Sequence, residues 1–405
     1  MANKKISELI AASAAALTQL IEVTTDPSGT PASEKLTVAQ LKTLFDTIYP
    51  ANTRPAPKNI VINGDMRIAQ RGTSFVSPAN SEYTLDRWLV GIANGAFTVT
   101  QSTDAPNGFA NSLKMECTTV PTLTGTQSVT IISRFEGQDL QFLKKGTADA
   151  ESFTVSFWVK SSKTGTHILR IHDFDNSRGV SSPYTVDAVD TWEKKELTLP
   201  GDTSGVFDND NVGSMMINFI LDSGPDLKSG TLNTTWEDVV LGNLAVGQVK
   251  VPDTIGNSLS ITGVQLEAGS TATDFDHRTY QEEKAACMRY FQKQKVGGFG
   301  GTFFGVGFAS ATTIANVLIT VPVPLRAAPT IGNSTYTSFT LLAQGVAVIL
   351  STNLAANLNY SVFDGDDMIG VGLLATVASG LIWGELYALR IVGDANSYMT
   401  FDSEI

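Results

Sequence analysis

Apolar and polar residues alternate at every second position along much of the chain, and this period dictates the first reading. Phe153, Val155, Phe157 and Val159 interleave with Thr154, Ser156, Trp158 and Lys160. A period of two turns one set toward a core and the other toward solvent, as in a half-buried β-strand. Comparable runs at 192–199, 212–221 and 258–266, separated by Gly, Asn, Asp and Ser clusters, predict an all-β sandwich over residues 59–280. A further strand over 168–174 follows a short loop containing Gly165, so it is read as the hairpin partner of the strand around Phe157. Matching the apolar faces pairs Phe157 with Ile171 and Val159 with Leu169. That register places Trp158 opposite Arg170 and Ser156 opposite His172.

The period changes at Thr279. Thr279 and Glu282 have the spacing of a capping box, and Tyr280, Cys287, Met288 and Phe291 fall on one helical face, which predicts a connecting helix over 281–295 ended by Gly297-Gly298. Beyond it, runs at 317–323, 338–343, 346–350 and 386–392 between Gly and Asn turns predict a second β-sandwich over 296–405. At the other end, residues 1–49 read as a small α/β unit. There Val38, Leu41, Leu44 and Phe45 recur at helical spacing behind Thr37, a suitable N-cap. Pro50, Pro55 and Pro57 then make 50–58 a semi-rigid linker. The expected fold class is mainly β, with a small N-terminal α/β module, a jelly-roll β-sandwich, a short helix and a C-terminal β-sandwich.

Composition narrows the function. Hydrophobic residues at 42% supply material for cores, and the 17% charged residues are fewer than the roughly 25% of ordinary soluble domains. The deficit is concentrated: residues 296–405 hold nine charged side chains and no lysine. A surface so poor in charge is expected to be hidden between copies of the chain. The formal charge of −12 without a basic cluster argues against nucleic acid. Two cysteines and three histidines, without paired spacing, predict neither a disulfide framework nor a zinc site. No uninterrupted apolar run reaches the roughly 20 residues of a membrane span. Lys4 and Lys5 before an apolar stretch imitate a secretory signal, but Glu8, Gln19 and Glu22 interrupt it. A soluble protein of the cytoplasm, or one joining an assembly, is the expectation.

Lys5-Ile6-Ser7-Glu8-Leu9, with Leu36-Thr37-Val38-Ala39-Gln40-Leu41, resembles the N-terminal module of bacteriophage tail fibres and related virion proteins. The segments 59–72 and Tyr83-Thr84-Leu85-Asp86-Arg87-Trp88 are similar to the first strands of the jelly roll in that family. Segments 261–270, 272–278, Cys287-Met288-Arg289-Tyr290-Phe291, 324–330 and 401–405 are similar to it as well. The resemblance implies a virion fibre: residues 1–49 attach to other virion proteins, the chain forms a homotrimer, and the distal β domains carry host attachment. A head fibre or capsid decoration protein, and a depolymerase tailspike, are the competing readings. Residues 153–170 are also similar to jelly-roll carbohydrate-binding modules, which implies a host surface polysaccharide as ligand.

The candidate glycan-binding residues are Trp158, Arg170, His172 and Ser156 on the expected polar sheet face, with Trp192 near a strand end. An indole stacks on a pyranose face while Arg and His donate to hydroxyls. The competing reading is a cation–π pair between Trp158 and Arg170 on an outer face, and core packing for Trp192, Trp236 and Tyr184. Asp173, Asp175 and Asn176, and the run Asp208-Asn209-Asp210-Asn211, offer oxygen ligands of the kind Ca²⁺ takes, but fit solvated turns better. No nucleophile elbow, phosphate loop or zinc-protease motif occurs. The expectation is a non-enzymatic protein without a cofactor.

Overall fold

The computed structural model describes residues 20–24, 33–37, 59–295, 302–343, 346–350, 352, 354–356, 361–364, 367–391 and 397–405. Met1–Lys58 and Asn59–Ile405 form two separate compact units. In the first, Leu20–Thr24 and Ser33–Thr37 pair antiparallel, with Leu20 opposite Thr37. The helix expected after Thr37 and the Pro-rich linker lie outside the described residues.

The second unit begins with the expected β-sandwich. One sheet runs in the order Glu237–Asp238, Arg178–Val186, Gly165–Asp173, Gly213–Ser223, Ser128–Glu136, Leu89–Ile92, Glu82–Tyr83. The facing sheet runs Glu193–Leu199, Phe153–Ser161, Ser258–Ala268, Ser112–Thr119, Ala96–Ser102, Ser74–Val76. Between them Phe157 packs edge-on against Phe219 at 5.0 Å and Tyr184 at 5.1 Å. Val155, Val159, Leu169, Ile171 and Ile217 fill the same core.

The expected hairpin does not form. Phe153–Ser161 pairs with Glu193–Leu199 and Ser258–Ala268, whereas Gly165–Asp173 pairs with Arg178–Val186 and Gly213–Ser223. The chain crosses from one sheet to the other through residues 162–164, so Phe157 and Ile171 share the core from opposite walls. Matching apolar faces brings two strands to one core, and it does not say whether they meet edge to edge or face to face. Trp158 therefore lies opposite Lys194 and Thr262, and Arg170 opposite Ser181 and Asn218.

The helix spans Tyr280–Met288 and carries the expected capping box, Thr279 accepting from the Glu282 amide. It stops short of the expected end. Phe291–Lys295 is a strand, paired with Tyr398–Asp402, which also pairs with Thr330–Asn333. Strand pairing here overrides the helix propensity of Gln and Lys. This three-stranded sheet packs Met399 and Phe401 against Phe339, Leu389 and Ile391 of a larger antiparallel sheet. That sheet runs Val346–Ile349, Phe339–Ala343, Leu386–Ile391, Thr302–Ala311, Ile314–Leu325, Asp367–Thr376, Ala355–Ala356.

Three arginines, one of them buried and two half-buried, join the two β bodies. Arg87 pairs with Glu404, lies 3.4 Å from the Tyr290 ring centroid, and donates to the Arg134 carbonyl. Arg289 clasps Glu136 through Nε at 3.0 Å and Nη2 at 2.9 Å while reaching Asp367 at 2.7 Å. Arg326 donates to the carbonyls of Ser403, Glu404 and Asn211. Much of what resembled the phage family meets in or beside this junction. The Asn63 side chain bonds Ile68 and Asp86, Trp88 donates to the Asn63 carbonyl at 2.9 Å, and Asn59 ties to Val264 and Leu266. At Gly64 a Cβ would lie 2.1 Å from the Val264 carbonyl oxygen, so only glycine permits this approach.

Candidate functional site

The outward face of the six-stranded sheet brings three of its polar and aromatic groups together. Trp158 and Lys160, two residues apart on one strand, share this face, and the register carries Trp192 to the position beside Lys160, just before Glu193 opposite Val159. Trp192 donates its Nε1–H to Oδ1 of Asp104 at 3.1 Å, and Lys160 binds Oδ2 of the same carboxylate at 2.7 Å. The Lys160 ammonium and then the Trp192 indole hold the Asp104 carboxyl below the usual carboxylate range, against a small opposing effect of burial. Trp158 and Trp192 are both half-buried: each ring is seated on the sheet and keeps part of its surface in water. Lys194 and Glu196, an exposed ion pair 2.8 Å apart, border them. Two indoles beside fixed donors and acceptors can hold a sugar by stacking and hydrogen bonding at once.

Ser156 belongs to the same strand but is 4% exposed, opposite Glu196 and Gln265. Burial withdraws it from any ligand on this face. Arg170 and His172 lie on the outward face of the other sheet, across the whole thickness of the sandwich from Trp158. The expected cluster therefore divides: Trp158 and Trp192 lie on one sheet face, and Arg170 and His172 form a separate pair on the other.

That pair is unusual in its own right. Arg170 is 8% exposed, its Nη2 lies 3.0 Å from Nδ1 of His172, and its Nε has no partner. No carboxylate pairs with it among the described residues, and burial pulls its guanidinium down to about 10. Burial, and then Arg170 itself, lower His172 to about 4, so the ring is neutral, and the tautomer with its proton on Nε2 accepts from Arg170 at Nδ1. The edge-on ring of Phe174 closes the other side of His172 at 4.8 Å.

The remaining candidates are structural. Tyr184 is buried in the core, and Trp236 packs against it with its Nε1 donating to Pro200 at 2.8 Å. Asp173 is buried, bound by Lys145 at 2.6 Å and by the amide and side chain of Asn176. Asp175 accepts from the Asp208 amide at 3.0 Å. Among the described residues no group of three or more His, Cys, Asp or Glu is placed to hold a metal ion. Asp104 and Lys160 were not among the sequence candidates. Asp104 meets Trp192 across 88 residues and Lys160 across 56, and no local pattern announces it.

The fold and this face define a protein of two joined antiparallel β-sandwich bodies with an aromatic and polar sheet surface. No protein-family profile and no curated protein matches the chain. Several solved structures are similar at low identity. The enzymatically active domain of tailspike protein 4 of bacteriophage CBA120 aligns at 16% identity and a TM-score of 0.29, over 52% of this chain and 22% of that one. TmCBM61 in complex with β-1,4-galactotriose aligns at 11% and 0.27, over 53% of this chain and 100% of that one. The family 11 carbohydrate-binding module of the cellulase Lic26A-Cel5E of Clostridium thermocellum aligns at 12% and 0.25, over 49% and 97%.

Proposed function

We propose that this protein is a virion fibre of a bacteriophage that attaches to its host by binding a surface glycan without cleaving it. The observation that carries the binding half is that Trp158 and Trp192 lie on one sheet face, Trp158 opposite Lys194 and Trp192 just before the paired Glu193, with Asp104 fixing the second indole. Stacking supplies affinity and the bordering Lys160, Lys194 and Glu196 read hydroxyls. Asp104, kept ionised by its two donors, is a poor general acid, which suits binding rather than hydrolysis. The fibre half is supported by the resemblance of segments along the chain, and places attachment to other virion proteins in residues 1–49.

Self-association is part of the same reading. Phe303, Val306, Leu318 and Leu386 are exposed on the larger C-terminal sheet, and Val306 lies opposite Leu318 on one strand and Ala388 on the other. We assign this apolar face to contact between copies in a homotrimer. Several weak sites on one particle then act together.

The test is adsorption and glycan binding by Trp158→Ala and Trp192→Ala chains that fold and assemble normally. About a tenfold loss for each is expected, in line with one lost stacking contact. Unchanged adsorption in both would remove the sheet face from the reading, and shortened host polysaccharide after incubation would replace binding with depolymerisation.

A further inference from the structure

The three-stranded sheet buries one face and opens the other. Gln292, Met399 and Phe401 point into the protein and are fully buried. By the period of two, Phe291, Lys293, Tyr398, Thr400 and Asp402 occupy the opposite face. This face and the edge of the sandwich, from Arg71 through Phe75 to Tyr83, bound an open cavity of about 530 Å³. That is within the roughly 300–1,000 Å³ common for small-ligand sites. Gly332 keeps its floor open, since a Cβ there would come 2.4 Å from Oγ1 of Thr400.

Two cations line the cavity on aromatic supports. The Lys293 ammonium lies 4.2 Å from the Tyr398 ring centroid and pairs with no carboxylate among the described residues. Burial, and then Lys295, hold it below the ordinary lysine value, as expected of an ammonium without an anion. The Arg71 guanidinium carbon lies 3.7 Å from the Phe291 centroid and 5.4 Å from that of Tyr83. Its Nη2 is committed to Asp402 at 3.2 Å and Glu404 at 3.3 Å, and its Nη1 is buried without a hydrogen-bond partner.

We propose that this cavity binds a carboxylate-bearing sugar residue, a hexuronate or a sialate, of an acidic polysaccharide. The sugar carboxylate meets Lys293 Nζ in the positive field of the neighbouring Arg71 guanidinium, the ring lies along Tyr398, and Glu82 and Asp402 accept from hydroxyls. These two carboxylates also decide between anions: they accept from the several hydroxyls of a sugar ring, for which a glycerol phosphodiester offers fewer donors. The site shares a ligand class with the Trp158 face and no residue with it.

Titration of the full chain with hexagalacturonate, trisialate, methyl-esterified hexagalacturonate and polyglycerol phosphate tests this. One or both carboxylated oligosaccharides should bind. Lys293→Gln should weaken that binding about tenfold, the size of one lost charge-assisted hydrogen bond. Tyr398→Ala should also weaken it, while the Trp158→Ala/Trp192→Ala double variant leaves it unchanged. Thermal melts keep misfolded variants out of the comparison. Absence of binding by both acidic oligosaccharides, equal binding of the methyl ester, or tighter binding of polyglycerol phosphate overturns the assignment. So does loss of binding in the tryptophan double variant with full retention in Lys293→Gln, which would move the acidic sugar to the sheet face. Failure of the Trp158 face alone leaves every one of these readings intact.

Discussion

Trp192 donates its indole N–H to Asp104 at 3.1 Å, across 88 residues of sequence, and this bond decides which way the indole presents its face. Asp104→Ala releases both Trp192 and Lys160. The Lys160–Asp104 ion pair is partly open to solvent, so stability should change by less than about 1 kcal/mol, while the glycan binding proposed for this face falls. Because its donors depress the Asp104 carboxyl, the arrangement is intact above the ordinary value of 3.8 and is lost only as pH falls through the lower folded value. Affinity should therefore be flat from neutral pH down to about that point, as read by titration calorimetry. Loss of affinity already near pH 6 would show that another group orients the site.

Alternation made the strands of both bodies legible, because period two needs only local sequence. The capping box at Thr279 and Glu282 was legible for the same reason. What was not legible depended on partners far away. Phe291 sits as naturally on a helix face as in a strand until Tyr398–Asp402 pairs with it. Trp158 and Arg170 were expected to be neighbours because both flank apolar positions, and two sheets facing one core satisfy that pattern equally well. The segments around Asn63, Arg87 and Tyr290 looked like family signatures, and the structure gives them a packing role at the junction between the β bodies.

His172 is held near 4 from an ordinary 6.5, chiefly by burial and secondarily by Arg170, with Asp173 opposing. Its neutral form belongs to the fold, so the unfolded chain takes up the proton first. Stability contributed by this group is complete above about pH 6.5 and falls as pH drops from there to about 4. His167, also lowered by burial, acts in the same direction. Urea midpoints measured across this range should slope for the native chain and slope less for His172→Gln. An identical slope in the variant would show that His172 is as protonated folded as unfolded.

Val306 and Leu386 are 65% and 73% exposed on a sheet that carries few charges. If copies of the chain cover this face, Val306→Asp buries an unpaired carboxylate in the contact and should shift sedimentation from an assembly to single chains. The single chain should keep its β circular dichroism, since Val306 lies outside its core. A native chain that sediments as one copy at micromolar concentration would remove the interface altogether.

Arg87 tests how firmly the two bodies are joined. It is fully buried, pairs with Glu404, and covers the Tyr290 ring. Arg87→Met leaves the Glu404 carboxylate buried, held on one side by Arg71 at 3.3 Å. Removing one partner of a buried pair costs about 3–5 kcal/mol, much of it the desolvation of the charge left behind. The double variant Arg87→Met/Glu404→Met removes that charge too, and should be less destabilised than the sum of the single changes by more than about 0.5 kcal/mol. Chemical unfolding of the four proteins gives the coupling directly. Additive losses would mean that Arg87 acts through Tyr290 and the Arg134 carbonyl rather than through Glu404.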